Sequence, residues 1–116
     1  MADDFTALQE RYRNFVDERD WRQFHDPRSL VLALVGEVGE LAELFQWVPD
    51  EQAADMFRQG DRQQRAGEEM SDVLIYLLGL ADSLQVDLLA AAHAKLTAAE
   101  GRFPADEVKG QALLKP

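Results

Sequence analysis

Apolar residues along this chain recur at intervals of three and four, and no run alternates every second residue between turn signals. An all-α fold is predicted. A first helix is expected from about Asp4 to Arg19, carried by Phe5, Leu8, Tyr12, Phe15 and Val16. Trp21 to His25 read as an aromatic-rich connection. Asp26-Pro27 then supplies an N-cap and a first-turn proline, opening a second helix that should run to about Trp47 and stop at Pro49. Asp50 is expected to cap a short helix through Phe57, and Asp61, after the Gln59-Gly60 break, a long one to about Leu84. Asp87 should cap a last helix from Leu88 to about Glu100, ended by Gly101 and Pro104. The tail beyond has no clear pattern.

Two acidic pairs interrupt this hydrophobic patterning. Glu37 and Glu40 stand three apart on the second helix, as do Glu69 and Asp72 on the long one, so each pair shares a helix face. At about 100° per residue, Leu30, Leu34, Val38, Leu41, Leu44 and Phe45 form one apolar arc. Glu37 falls inside it, Glu40 lies roughly 60° outside, and Trp47 projects beside Glu40. On the long helix Val73, Leu77, Leu80 and Leu84 form the stripe, with Glu69 at its edge and Asp72 roughly 60° farther out. If the two helices pack side by side, the four acids converge. Carboxylates three apart on a helix are usually solvated, but two pairs that both intrude on apolar stripes call for a counter-charge. Oxygen-only ligands select a hard cation, Mg²⁺ or Mn²⁺, over zinc or copper. Gly36, Gly39 and Gly79 lie inside these helices, for close helix packing or for ligand access.

Composition narrows the partners. The chain has 116 residues, enough for one core, read as a domain over 1–104 with a C-terminal tail over 105–116. Its 12 Lys and Arg against 22 Asp and Glu give a net charge of −10, which argues against binding nucleic acid or an anionic membrane. A compact anion screened by metal ions is not excluded. The absence of cysteine removes disulfides, thiolate zinc sites and a cysteine nucleophile. The acidic start, Met1-Ala2-Asp3-Asp4, reads as no signal peptide, and a cytoplasmic location is expected.

The run Glu37-Val-Gly-Glu40-Leu-Ala-Glu-Leu-Phe-Gln-Trp47, followed by Glu68-Glu69-Met-Ser-Asp72-Val-Leu-Ile-Tyr76, resembles the all-α MazG-like nucleoside triphosphate pyrophosphohydrolases, above all their dCTP pyrophosphatase branch. Arg19-Asp20-Trp21-Arg-Gln-Phe24-His25 matches that branch too, and the likeness extends over roughly residues 5 to 104. It implies a four-helix bundle completed by oligomerisation, a tetramer built from dimers. It also implies Mg²⁺-dependent cleavage of a (deoxy)nucleoside triphosphate to the monophosphate and pyrophosphate, as in nucleotide-pool house-cleaning. Glu37, Glu40, Glu69 and Asp72 match the family's metal-binding and catalytic acids. Trp21, His25, Trp47 and Tyr76 match positions that line the base and sugar pocket, and Lys95 and Arg102 match residues that approach the phosphates. One position departs: Ala99 stands where the family commonly has an asparagine, which removes an amide donor near the nucleotide.

No serine, cysteine or histidine nucleophile is evident, so water activated by the cation is expected to attack, with one of the four acids or Glu43 orienting it. An all-α dUTPase-like enzyme, or a broad house-cleaning enzyme for modified nucleotides, is the rival within the hydrolases. From another class, a non-catalytic helical oligomerisation module would use the same acids for a stabilising ion. A di-iron carboxylate bundle is disfavoured, because neither His25 nor His93 follows a glutamate by three residues.

Overall fold

The computed structural model describes residues 3–112, and among these every regular element is helical. In chain order they are α1 (Asp4–Glu18), a single 3-10 turn (Arg22–Phe24), α2 (Pro27–Glu43), α3 (Asp50–Met56), α4 (Gly60–Ser83), α5 (Leu88–Arg102) and α6 (Ala105–Val108). One compact unit ends at Gln85 and holds α1 to α4; a second begins at Val86 and holds α5 and α6. No single helix among the described residues is long and apolar enough to cross a membrane.

Three aspartates start helices by accepting from backbone amides that have no partner inside the helix. Asp3 accepts from Thr6 N at 2.7 Å, Asp26 from Ser29 N at 3.0 Å and Asp87 from Ala90 N at 3.0 Å. Asp50 and Asp61 are not caps. Asp50 is already the first residue of α3, behind Pro49, and α4 begins at Gly60, whose φ of +65° suits a glycine.

The second helix ends earlier than its hydrophobic pattern predicts, at Glu43 rather than Trp47. Pro49 explains the difference. It has no N–H to offer the carbonyl of Phe45, so Val48 N takes that carbonyl at 3.1 Å, and Phe45 N and Gln46 N likewise bond three residues back. The last turn tightens, and Trp47 leaves the helical wheel. At the other end of the chain, α5 runs through Gly101 to Arg102, and the patternless tail holds the short helix α6. Residues 113–116 of that tail lie outside the described residues.

Within the first unit α2 lies along α4, and α1 meets α4. Val16, Leu30, Leu78 and Ala81 form the buried centre where these three helices face one another. The buried side of α4 differs from the expected stripe. Leu78, Gly79 and Ala81 are covered, Val73, Leu77 and Leu80 are half-buried, and Leu84 is exposed. Residues 73 to 81 of α4 are almost wholly apolar, so the wheel offers several faces, and packing against α1 and α2 selects one. Met70, Leu74 and Ile75 on α4 remain exposed, as do Val31, Leu32, Val35 and Val38 on α2.

Asp82 ties the elements together. Arg13 Nε donates to its Oδ1 at 2.7 Å and Arg22 Nη1 to its Oδ2 at 2.8 Å, linking α1 and the 3-10 turn to α4. Burial alone would raise the Asp82 pKa, but the two guanidinium bonds outweigh it and hold the carboxyl below its ordinary value. Of the three helix glycines, close packing accounts for Gly79 alone, where an added Cβ would strike the Tyr12 hydroxyl. At Gly36 and Gly39 a Cβ would meet nothing within 4 Å. Gly79→Ala is therefore expected to destabilise the fold by about 1–3 kcal/mol in chemical denaturation. Adding Tyr12→Phe, which removes the colliding oxygen, should recover part of that loss; equal stability of Gly79→Ala and the parent chain contradicts this packing.

Candidate active site

The packing of α2 along α4 brings Glu37 and Glu40 from one helix to Glu69 on the other. Each offers a carboxylate oxygen, and these oxygens lie within 4.8 Å of one another. Glu37 and Glu69 are half-buried, and their Oε2 atoms are sealed from solvent without a hydrogen-bond partner among the described residues. Glu40 is exposed and completes the group from the rim. Three of the four expected acids thus converge. Asp72, one turn along α4 from Glu69, is exposed and outside this trio, although its charge reaches both Glu37 and Glu69.

The electrostatics follow from that geometry. Burial is the main reason that the Glu37 carboxyl is pushed above its ordinary value, and the Glu40 charge adds to it, followed by Asp72 and Glu69. Glu69 is raised for the same reasons, burial first and then Glu40 and Asp72, with Arg65 opposing. Like charges brought this close repel one another, and each disfavours ionisation of its neighbour. A divalent cation fits this arrangement. It would give the sealed oxygens a partner and cancel the repulsion, and an all-carboxylate donor set suits a hard ion.

Beside the trio lies a cleft of about 540 Å³. Glu40, Glu43 and Glu69 line it on the acidic side, and Leu44, Val48 and Phe57 contribute apolar wall, with Phe57 stacked on Phe45 at a centroid distance of 4.4 Å. Arg62 and Arg65 supply its basic side. Sequence reasoning passed over these two arginines. The signal was present: Arg62, Arg65 and Glu69 are spaced i, i+3, i+7, which is one face of α4.

Of the other expected site residues, Trp21, His25, Trp47 and Tyr76 belong to the first unit. Trp21 packs its ring edge against Phe15, with centroids 5.6 Å apart, and is partly exposed. His25 has its Nδ1 at 3.5 Å from the Tyr12 hydroxyl and lines a separate hollow of about 280 Å³ with Arg22 and Asp82. Tyr76 is half-buried on α4, near enough to Tyr12 to affect its ionisation. Trp47 is 87% exposed and lies beyond the end of α2. Lys95 and Arg102 lie on α5 in the second unit, both exposed, with the Arg102 guanidinium 5.0 Å from the centre of the Phe103 ring. Ala99, also on α5, has no side-chain donor.

Raised carboxyl pKa values give a pH dependence with a definite sign. The folded chain takes up protons on Glu37 and Glu69 before the unfolded chain does, so stability is gained as pH falls through the raised values toward the ordinary 4.5. In metal-free buffer the melting temperature should rise as pH is lowered from 7 toward 5. Glu37→Gln should flatten that rise, and saturating Mg²⁺ should stabilise the parent at neutral pH but not the variant. A parent profile unchanged by Mg²⁺ contradicts the site.

No family model matches the chain. Among curated proteins it is 48% identical over 101 residues to dCTP pyrophosphatase 1 of Bos taurus, covering 87% of this chain and 60% of that protein. It is 50% identical over 94 residues to dCTP pyrophosphatase 1 of Homo sapiens, covering 81% of this chain and 55% of that one. The chain thus spans well under two thirds of the length of these relatives. Among solved structures, a pyrophosphatase from Archaeoglobus fulgidus DSM 4304 superposes with a TM-score of 0.81 at 31% identity, over 90% of this chain and 95% of that one. Agreement in fold over nearly the whole of both chains, with sequence identity to match, means that the chain belongs to the all-α, MazG-like pyrophosphatase family.

Proposed function

We propose that the chain is a Mg²⁺-dependent nucleoside triphosphate pyrophosphohydrolase, with dCTP or a related pyrimidine deoxynucleotide as substrate. The observation that carries this reading is the trio of Glu37, Glu40 and Glu69, with two sealed and unpartnered oxygens at the edge of a cleft that also holds arginines. The relatives named dCTP pyrophosphatase support the choice of base and the deoxyribose. Ala99 supports a broader base tolerance than strict dCTP selectivity, because no amide is offered there.

Hydrolysis adds one water at the α-phosphorus and breaks its bridge to the β-phosphate, releasing monophosphate, pyrophosphate and a proton. A divalent cation, Mg²⁺ or in its place Mn²⁺, supplies charge neutralisation of the phosphates and a more acidic water. Glu37, Glu40 and Glu69 would hold the cation, and Asp72 would add negative charge from one turn away. Glu43 lines the cleft but stands outside the trio, which leaves it free to accept the proton of the attacking water. Trp21, His25, Trp47 and Tyr76 as base and sugar contacts, and Lys95 and Arg102 as phosphate contacts, rest on the family likeness.

The uncovered apolar residues of α2 and α4 support a homo-oligomer, and the family likeness alone suggests a tetramer of paired dimers. Leu32 and Val35 are each 63% exposed and stand with the exposed Val31 and Val38 on the same helix. Leu32→Glu with Val35→Glu should lower the mass seen by light scattering; a parent chain that is monomeric at micromolar concentration contradicts the assembly.

The activity is tested by measuring Mg²⁺-dependent turnover of individual dNTPs and NTPs, with monophosphate and pyrophosphate identified as products. Glu37→Gln and Glu69→Gln are each expected to lower kcat by about 10²-fold or more, while the folded state is retained. Full activity in both variants rules out this site. Thermal stabilisation by Mg²⁺ with no turnover of any nucleotide would assign the chain to the non-catalytic oligomerisation modules instead.

A further inference from the structure

We propose that Arg62 and Arg65 form a receiving site for the two phosphates that depart as pyrophosphate, an inference that rests on the triphosphate-cleaving reading of the same cleft. Both residues project from the face of α4 that carries Glu69, at i, i+3 and i+7. At 1.5 Å of rise per residue, Arg65 stands about 6 Å and Arg62 about 10 Å along the helix axis from Glu69. A linear polyphosphate anchored at the acids through a cation would therefore run past both guanidinium groups in turn. The cleft, at about 540 Å³, has room for that chain and the water around it.

The decisive feature is where the two arginines stand. Among the described residues Arg13, Arg19, Arg22 and Arg58 make ion pairs and Arg11, Arg28, Arg62, Arg65 and Arg102 make none; of these five, Arg62 and Arg65 line the cleft beside the trio, close enough for the Arg65 charge to reach Glu69. They make no ion pair although the chain carries 22 acids, and although Glu40, Glu43 and Glu69 line the same cleft. A helix-face pair between Arg65 and Glu69 would have the less favourable orientation, with the base preceding the acid by four residues. The trio of acids turns its oxygens toward one another, and the guanidinium groups face the open cleft. The two ends thus sort by charge: the acids take a cation, and the arginines take an anion. Guanidinium groups bind phosphate oxygens in pairs of parallel hydrogen bonds, which suits two phosphates carrying most of the substrate's charge.

The probe is inorganic pyrophosphate with Mg²⁺, titrated by calorimetry into the parent chain, Arg62→Gln, Arg65→Gln, the double Gln variant and the double Lys variant. Deoxycytidine monophosphate is titrated in parallel, and melting temperature, KM and kcat are measured for each protein. The double Gln variant is expected to bind pyrophosphate at least about tenfold more weakly and to raise KM for the triphosphate by a similar factor. Its monophosphate affinity and melting temperature should stay at the parental values, and the Lys variant should restore part of the pyrophosphate binding. Unchanged pyrophosphate affinity in the double Gln variant of an active parent overturns the arginine site and leaves the hydrolase reading standing. Loss of affinity that tracks a falling melting temperature in both the Gln and Lys variants assigns a structural role and overturns it as well. A parent that cleaves no triphosphate overturns the hydrolase reading, and the arginine site with it.

Discussion

Like charges held together against an apolar interior are the constraint around which this fold is arranged. Packing α2 along α4 buries Leu30 and Leu78, and the same packing carries Glu37 and Glu69 into partial burial beside Glu40. The helices cannot gain the first contact without accepting the second. A sealed polar atom without a partner is costly, and among the described residues two carboxylate oxygens are in that position. The tension is relieved by protonation or by a cation. A divalent ion would then contribute to the stability of the helix pair as well as to chemistry in the cleft.

On the proposed reading, an acidic chain acting on a polyanion has to place its few positive charges with care. Arg13 and Arg22 are committed to Asp82, where they join α1 and the 3-10 turn to α4. Arg62 and Arg65 are left facing the cleft. The net charge of −10 therefore describes the chain's long-range field but not the local field at the site, where the arginines and a bound cation would set the sign. The long apolar segment of α4 plays a comparable double part. One side closes the core, while Met70, Leu74 and Ile75 remain uncovered within the chain and suit burial against another copy.

Much of this was legible from residue spacing, and the failures have physical causes. The helices, their order, and the aspartate caps at Asp26 and Asp87 followed from periodicity and local capping chemistry, which depend on neighbours in sequence. Convergence of Glu37, Glu40 and Glu69 followed from i, i+3 spacing on two helices with apolar faces. The exclusion of Asp72 from the closest group did not, because it depends on the rotation of α4 about its axis, which long-range packing sets. The same rotation moved the buried side to Leu78 and Ala81 instead of Leu84. The end of α2 was placed too late because Pro49 acts backwards, tightening the turn before it. The arginines of the cleft were missed because exposed basic residues on a helix ordinarily pair with acids, and only the three-dimensional arrangement showed these two unpaired.

The central claim is that the glutamate trio coordinates one divalent ion, and anomalous diffraction from a crystal grown with Mn²⁺ tests it most directly. The account predicts a strong manganese peak within bonding distance of carboxylate oxygens from Glu37, Glu40 and Glu69, between α2 and α4. No peak there, with the three side chains turned apart into solvent, would contradict it.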